Sequence, residues 1–208
     1  MNQTKKTLIV LLAVVAAILW CVILILFVGG RKISYGQTSV VETPDRTESS
    51  ENPLFVKEIY EPVIPEGANI AADAKMTANG FNDVYTPIKV NDGKTEGQSY
   101  WEGENGAYPN ILTATFKETH KMHAIKVCLC PQSVWSMRMQ TFCVQISEDG
   151  ENFTELIPAN DYEFNPDTAN EVVIDFDEVG CKAVQLVFTG NTGAGGAQVA
   201  EFEIYSKE

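Results

Sequence analysis

The sequence predicts an all-β domain, on three observations. Apolar and polar residues alternate over short stretches between Gly67 and Glu208, the two-residue period of a half-buried strand. Turn-forming pairs separate those stretches: Asn79-Gly80, Asp92-Gly93, Asp149-Gly150 and the glycine-rich Gly193–Gly196. No apolar stripe of useful length at helical spacing lies between them. Short strands punctuated this way form a β-sandwich or barrel.

One segment ahead of the domain has a different character. Leu8–Val28 is a run of 21 apolar residues without a charge or a proline. As a helix it covers roughly 31 Å, the thickness of a bilayer core. The apolar core of a cleaved signal peptide is only about 7–15 residues long and ends at a small-residue site, which Gly29-Gly30-Arg31-Lys32 does not provide. Trp20 is too large to precede a lipid-modified Cys21. The run therefore reads as one N-terminal transmembrane helix. Lys5-Lys6 and Arg31-Lys32 flank it almost evenly, so the positive-inside rule decides little. Ser34–Pro53 is rich in Ser, Thr, Glu and Pro, a linker composition. Leu54–Ile64 is more apolar, with Pro62 and Pro65 interrupting, and reads as an extended lead-in. The chain divides into 1–7, 8–28 (transmembrane), 29–66 (linker) and 67–208 (β-sandwich).

Within the domain, Ile111–Phe116 puts Leu112, Ala114 and Phe116 on one face. His123–Cys130 does the same with Ile125, Val127 and Leu129. Thr141–Ser147 carries Val144 and Ile146 into the Asp149-Gly150 turn, and the chain resumes at Phe153 and Leu156. Glu171–Phe176, Ala183–Phe188 and Gln198–Tyr205 complete the strands.

Charge is asymmetric. From residue 33 onward the chain holds 11 basic against 28 acidic residues, a balance of −17. Such a domain repels phosphate backbones and anionic lipid surfaces, so nucleic-acid binding is not expected. Cys128, Cys130, Cys143 and Cys181 permit two disulfides, but Cys128 and Cys130 share one strand face and cannot readily pair with each other. Four reduced, buried thiols are the simpler expectation, since a domain of this size buries an adequate core without staples.

Several stretches in order resemble the discoidin fold, the coagulation-factor F5/8 type C domain, which also includes family 32 carbohydrate-binding modules. NIAADAKMTANG (69–80) resembles its opening strand and loop. NDGKTEGQSYWEG (91–103) resembles the Asp-Gly loop that leads to a tryptophan, and ILTATFKETHKMHAIKV (111–127) the strand pair that follows. VQISEDGENFTEL (144–156) resembles its hairpin, and AVQLVFTGNTGAGGAQVAEFEIY (183–205) its last strands. The resemblance covers about residues 67–207. It implies a galactose-binding-like jelly-roll sandwich displayed outside the cytoplasm, hence a single-pass cell-membrane protein with its N-terminus inside. It also implies non-catalytic recognition of a carbohydrate. The alternative use of the same sandwich is as a docking module for an envelope protein partner.

The resemblance further implies a structural calcium ion held by Asp92, Ser99 and Glu201 with nearby carbonyls, an all-oxygen set that suits this cation. The loop departs from the common spacing, being about two residues longer before Tyr100-Trp101, and Ser99 stands where threonine is usual. Sugars are bound by rings laid on their C–H faces and polar groups aimed at their hydroxyls. In this fold the loops at one end do that, which selects Tyr85, Glu102, Tyr108, Trp135, Arg138 and Asn191. Trp101 is expected in the core. The glycine-rich loop 191–197 precedes a strand, so it is no phosphate loop. His120 and His123 lack the partners of a zinc site. No motif of a catalytic nucleophile is present, so no enzyme is expected.

Overall fold

In the computed structural model the described residues are Leu19 and 60–207. The apolar run Leu8–Val28 and most of the linker lie outside them. Among the described residues no helix is long and apolar enough to cross a membrane.

The strands are β1 (Ala68–Asn69), β2 (Lys75–Ala78), β3 (Trp101–Glu102), β4 (Asn110–Cys128), β5 (Arg138–Ser147), β6 (Thr154–Phe164), β7 (Glu171–Asn191), β8 (Gln198–Val199) and β9 (Glu201–Ser206). Seven form an antiparallel sheet in the order β1-β9-β4-β7-β5-β6, with β2 also on β4, while β3 and β8 form a two-stranded ribbon.

Two long strands make this sheet a sandwich. The first part of β4, Asn110–Thr115, pairs with Phe188–Ala183 of β7; its last part, Ala124–Cys128, pairs with Asp175–Glu171. Between them the register breaks twice, between Thr115 and His120 and between Met122 and Ala124. Bulges of this kind bend a strand. β4 and β7 therefore run through both layers. One layer is β2, the front of β4, the end of β7, β5 and β6; the other is β1, β9, the end of β4 and the start of β7.

The parity of the core residues switches at this corner. Leu112, Ala114 and Phe116 are buried before it, and Ile125, Val127 and Leu129 after it. They pack with Trp101, Phe142, Val144, Leu186, Phe188 and Phe202 in one cluster. Val144 and Ile146 are both buried, and β5 and β6 pair across the Asp149 turn. Asp149 fixes that turn by accepting from the N–H groups of Glu151 and Asn152, each at 2.8 Å, and these bonds hold its carboxyl far below the usual range. All four domain thiols are free and buried, in keeping with the sequence. Burial pushes Cys181 up to about 12.

The domain takes in more chain than the boundary at Gly67 allows for. Tyr60–Glu66 forms a strap over the outer face of the second layer. Lys126 and Glu171 lie beneath it as an ion pair at 2.6 Å, both side chains 6% exposed. The strap completes their coordination: the Tyr60 hydroxyl and Val63 N–H donate to Glu171 Oε1, each at 3.0 Å, and Lys126 Nζ donates to Val63 O at 3.1 Å. Nearer β1, His123 Nε2 meets Glu66 O at 2.9 Å and Lys207 pairs with the exposed Glu66. Backbone carbonyls and one phenol hold the strap, so no apolar period marks it.

Candidate functional site

Loops from four parts of the chain meet at one end of the sandwich. Asn82 N–H donates to Glu102 O, Glu102 N–H to Tyr85 O, Gly103 N–H to Ala197 O, and Gly106 N–H to Gly195 O. Trp101 is fully buried and its Nε1–H donates to Gly80 O at 3.0 Å. Side chains alternate along an extended chain, so a buried Trp101 turns Tyr100 the other way. Tyr100 stacks on Tyr85 with centroids 4.2 Å apart and meets Trp135 edge-on at 4.7 Å. Lys89 Nζ lies 5.6 Å from the Tyr85 ring centroid and donates to Gln98 O. Burial, then the neighbouring Tyr85 hydroxyl, push the Tyr100 hydroxyl far above its ordinary value.

A chain of polar side chains runs beside the rings. Asn82 Nδ2 donates to Glu102 Oε1 and Gln198 Nε2 to Glu102 Oε2, each at 2.8 Å. Arg138 Nη1 donates to Gln198 Oε1 at 2.5 Å, and Arg138 Nε to Ser136 O at 3.0 Å. The guanidinium is 5.1 Å from the Trp135 ring centroid. Gln198 is fixed in turn by Gln140, whose Oε1 accepts from Gln198 N–H while its Nε2 donates to Gln198 O. Arg138 is 6% exposed, and burial lowers its pKa, yet an arginine this deep stays charged. Amides polarised between a cation and an anion form a stiff network.

The structure thus brings Tyr85, Glu102, Trp135 and Arg138 together. Tyr108 borders the group: burial, then the charge of Glu102, raise its pKa, and its hydroxyl is buried without a partner among the described residues. Asn191 sits one step back as a loop holder. Its Nδ2 donates to Gly196 O at 2.9 Å and its Oδ1 accepts from Gly193 N–H at 2.8 Å. A Cβ on Gly193 would come within 2.7 Å of Arg138 Nε, so only glycine lets this loop close over Arg138. Sequence reasoning missed Tyr100, Asn82 and Gln198. A usable signal existed for Tyr100, the neighbour of a core tryptophan, and for Gln198, an amide between Ala197 and Val199.

The Asp92 loop lies beside this end. Ser99 Oγ donates to Asp92 Oδ2 at 2.5 Å. Glu201, 4% exposed, accepts from Gly93 N–H at 2.7 Å and Lys94 N–H at 3.0 Å. Lys94 N–H also donates to Asp92 Oδ1 at 3.0 Å, bridging the two carboxylates. Burial foremost, with Asp92 adding to it against the two amides, pushes the Glu201 carboxyl up to about 7. A buried acid beside a second acid that holds a hydroxyl is an oxygen set that calcium accepts. Among the described residues no three His, Cys, Asp or Glu side chains could hold a metal, so a cation here would rest on Asp92 and Glu201 with Ser99 and backbone carbonyls. It would supply charge neutralisation and fasten the loop to β9. His120 packs against Phe116 and His123 contacts Glu66 O.

Fold and loop cluster define a discoidin-type β-sandwich module. The chain belongs to the F5/8 type C domain family, whose sequence profile matches residues 74–202. No curated protein matches the sequence. Among solved structures, CpGH89CBM32-5 from Clostridium perfringens, in complex with GalNAc-β-1,3-galactose, is similar with a TM-score of 0.55 and 19% identity, over 65% of this chain and 97% of that one. The family 32 CBM of C. perfringens NanJ, in complex with galactose, is similar with a TM-score of 0.55 and 16% identity, over 65% of this chain and 96% of that one. The CBM32 of AlyQ, in complex with 4,5-unsaturated mannuronic acid, is similar with a TM-score of 0.52 and 16% identity, over 67% of this chain and 96% of that one. At these identities the likeness is one of fold.

Proposed function

We propose that this protein is a non-catalytic carbohydrate-binding module, tethered to the cell membrane by Leu8–Val28 and displayed outside the cytoplasm. The observation that carries the reading is the cluster of Tyr85, Tyr100 and Trp135 beside the Arg138–Gln198–Glu102 chain. Rings supply the apolar face a sugar stacks on, and the ordered polar chain orients its hydroxyls. Asn191 contributes by holding the 193–196 loop, and Tyr108 by packing under Glu102. Calcium at Asp92, Ser99 and Glu201 would steady the loop that presents Tyr100. The carbohydrates bound in the similar structures support the ligand class.

The test is a glycan array on the full chain in detergent, with and without chelator. Trp135→Ala is expected to weaken binding about tenfold, as for the loss of one stacking ring. Binding that survives Trp135→Ala combined with Tyr85→Ala would remove stacking as the mechanism. The tether has its own test. Protease applied to intact cells is expected to release the domain, and full protection of the domain would overturn its outward display.

A second reading, docking of an envelope protein partner, is favoured by one observation. Val84, Ile88, Val134 and Met137 beside the rings are 50%, 72%, 77% and 61% exposed, an apolar rim of the kind found at protein interfaces. No glycan bound, together with one stoichiometric protein captured through Val134 and Ile88, would decide for it.

A further inference from the structure

We propose that Asn170 is the positioning residue of the ring platform, and that the Tyr60–Glu66 strap holds Asn170 in place through Glu171. The inference rests on the reading that Trp135 belongs to the ligand platform.

The loop between β4 and β5 has little to shape it from within. Gln132, Ser133, Val134, Ser136 and Met137 are all exposed, and Trp135 N–H donates to Gln132 O. Besides the Arg138 Nε bond to Ser136 O and the ring contacts of Trp135, one amide holds both ends of this loop to the sandwich. Asn170 Nδ2 donates to Cys130 O at 2.8 Å and to Trp135 O at 3.0 Å, clasping both ends of the segment. Asn170 is fully buried and left-handed at φ 55°, a conformation asparagine tolerates better than most residues. Its backbone is pinned as well: N–H donates to Asn165 O and the carbonyl accepts from Leu129 N–H, each at 2.8 Å. Its Oδ1 is buried without a partner among the described residues. An orphaned acceptor is costly, so the residue is poorly justified as filler; the paired donors are what the site gains.

The next residue is Glu171, the anion of the buried pair under the strap. It leans on Lys126 and accepts from Tyr60 and Val63. A continuous path of short contacts thus runs from Tyr60 through Glu171 and Asn170 to Trp135, and on to Tyr100 and Arg138. The strap precedes residue 74, where the family match starts, and so lies outside the matched segment. Tyr60–Glu66 is thereby joined to the binding end through Glu171 and Asn170.

The test uses the full chain in detergent. Asn170→Gly keeps the left-handed backbone accessible and removes only the clasp; Tyr60→Phe removes only one strap hydroxyl. Trp135 emission is isolated by subtracting the Trp135→Phe counterpart of each protein, and its quenching by acrylamide is measured. Trp20 is replaced by phenylalanine throughout, so the Trp135→Phe counterpart reports the core Trp101 alone and serves as the internal control. Asn170→Gly is expected to raise Trp135 quenching toward that of a free indole while Trp101 stays shielded, and to weaken binding of GalNAc-β-1,3-galactose about tenfold. Tyr60→Phe is expected to act in the same direction, less strongly. Unchanged Trp135 quenching in both variants overturns the positioning role, as does an increase that Trp101 shares equally. Should the unmodified chain bind no glycan, the carbohydrate reading falls, while the Trp135 signal still decides the positioning role.

Discussion

Glu171→Ala is expected to destabilise the sandwich by about 3–5 kcal/mol, the usual cost of stranding one member of a buried ion pair. Lys126 and Glu171 are 2.6 Å apart with side chains 6% exposed. Removing the carboxylate leaves a buried ammonium with the carbonyl of Val63 and the more distant charge of its cross-strand neighbour Glu203. Tyr60 OH and Val63 N–H lose their acceptor in the same step. The readout is the urea midpoint of the full chain in detergent. The double variant Lys126→Met, Glu171→Leu is expected to recover most of the loss, because apolar replacement of a whole buried pair is often close to neutral. A single variant as stable as the unmodified protein would mean that the strap does not seal the pair from water.

The second large effect concerns Glu201. Its carboxyl is pushed from an ordinary 4.5 up to about 7. The folded protein therefore holds this proton more tightly than the unfolded chain. Without a cation, the stability linked to this group is complete below about pH 4.5 and is lost as pH rises toward 7. The loss amounts to roughly 2–3 kcal/mol, and the curve levels off above that range. Calcium reverses the sign of the problem, since a ligating carboxylate must be ionised. In chelator the unfolding midpoint is expected to fall between pH 5 and 7.5. At calcium a hundredfold above its dissociation constant the fall is expected to vanish, with a gain of about 2.7 kcal/mol at the upper end. Glu201→Gln is expected to flatten the chelator curve and abolish the calcium response. A midpoint that responds to neither pH nor calcium would remove the cation from Asp92, Ser99 and Glu201.

Much of the sandwich was legible because two-residue alternation survives in strands with one buried face. Val144 and Ile146 announced β5, and Leu112, Ala114 and Phe116 the front of β4. The corner in β4 was not legible. Nothing in Lys117–Lys121 shows that the strand continues through a bulge into the other layer, because bulges depend on partners distant in sequence. For the site, aromatic and polar residues in loops between strands were sufficient pointers to Tyr85, Glu102, Trp135 and Arg138. The link between Arg138 and Glu102 was not legible, since the two charges lie on different elements and Gln198 spans the gap. The lead-in over Leu54–Ile64 was legible as extended chain, but its docking was not, because a phenol, two carbonyls and a peptide N–H hold the strap, and backbone groups leave no mark on composition. Asn170 escaped for the same reason, its role being written in a torsion angle and two carbonyls.

The sheet order β1-β9-β4 has a bearing on biosynthesis. The strand nearest the C-terminus, β9, is an interior one, seated between a segment at the start of the domain and the end of β4. Until residues 201–206 have left the ribosome, that seam stands open and Phe202 and Ile204 are missing from the interior. Synthesis of the domain and its closure are therefore separate events. Until residues 201–206 emerge, the nascent chain presents an unpaired edge, the feature that invites wrong partners.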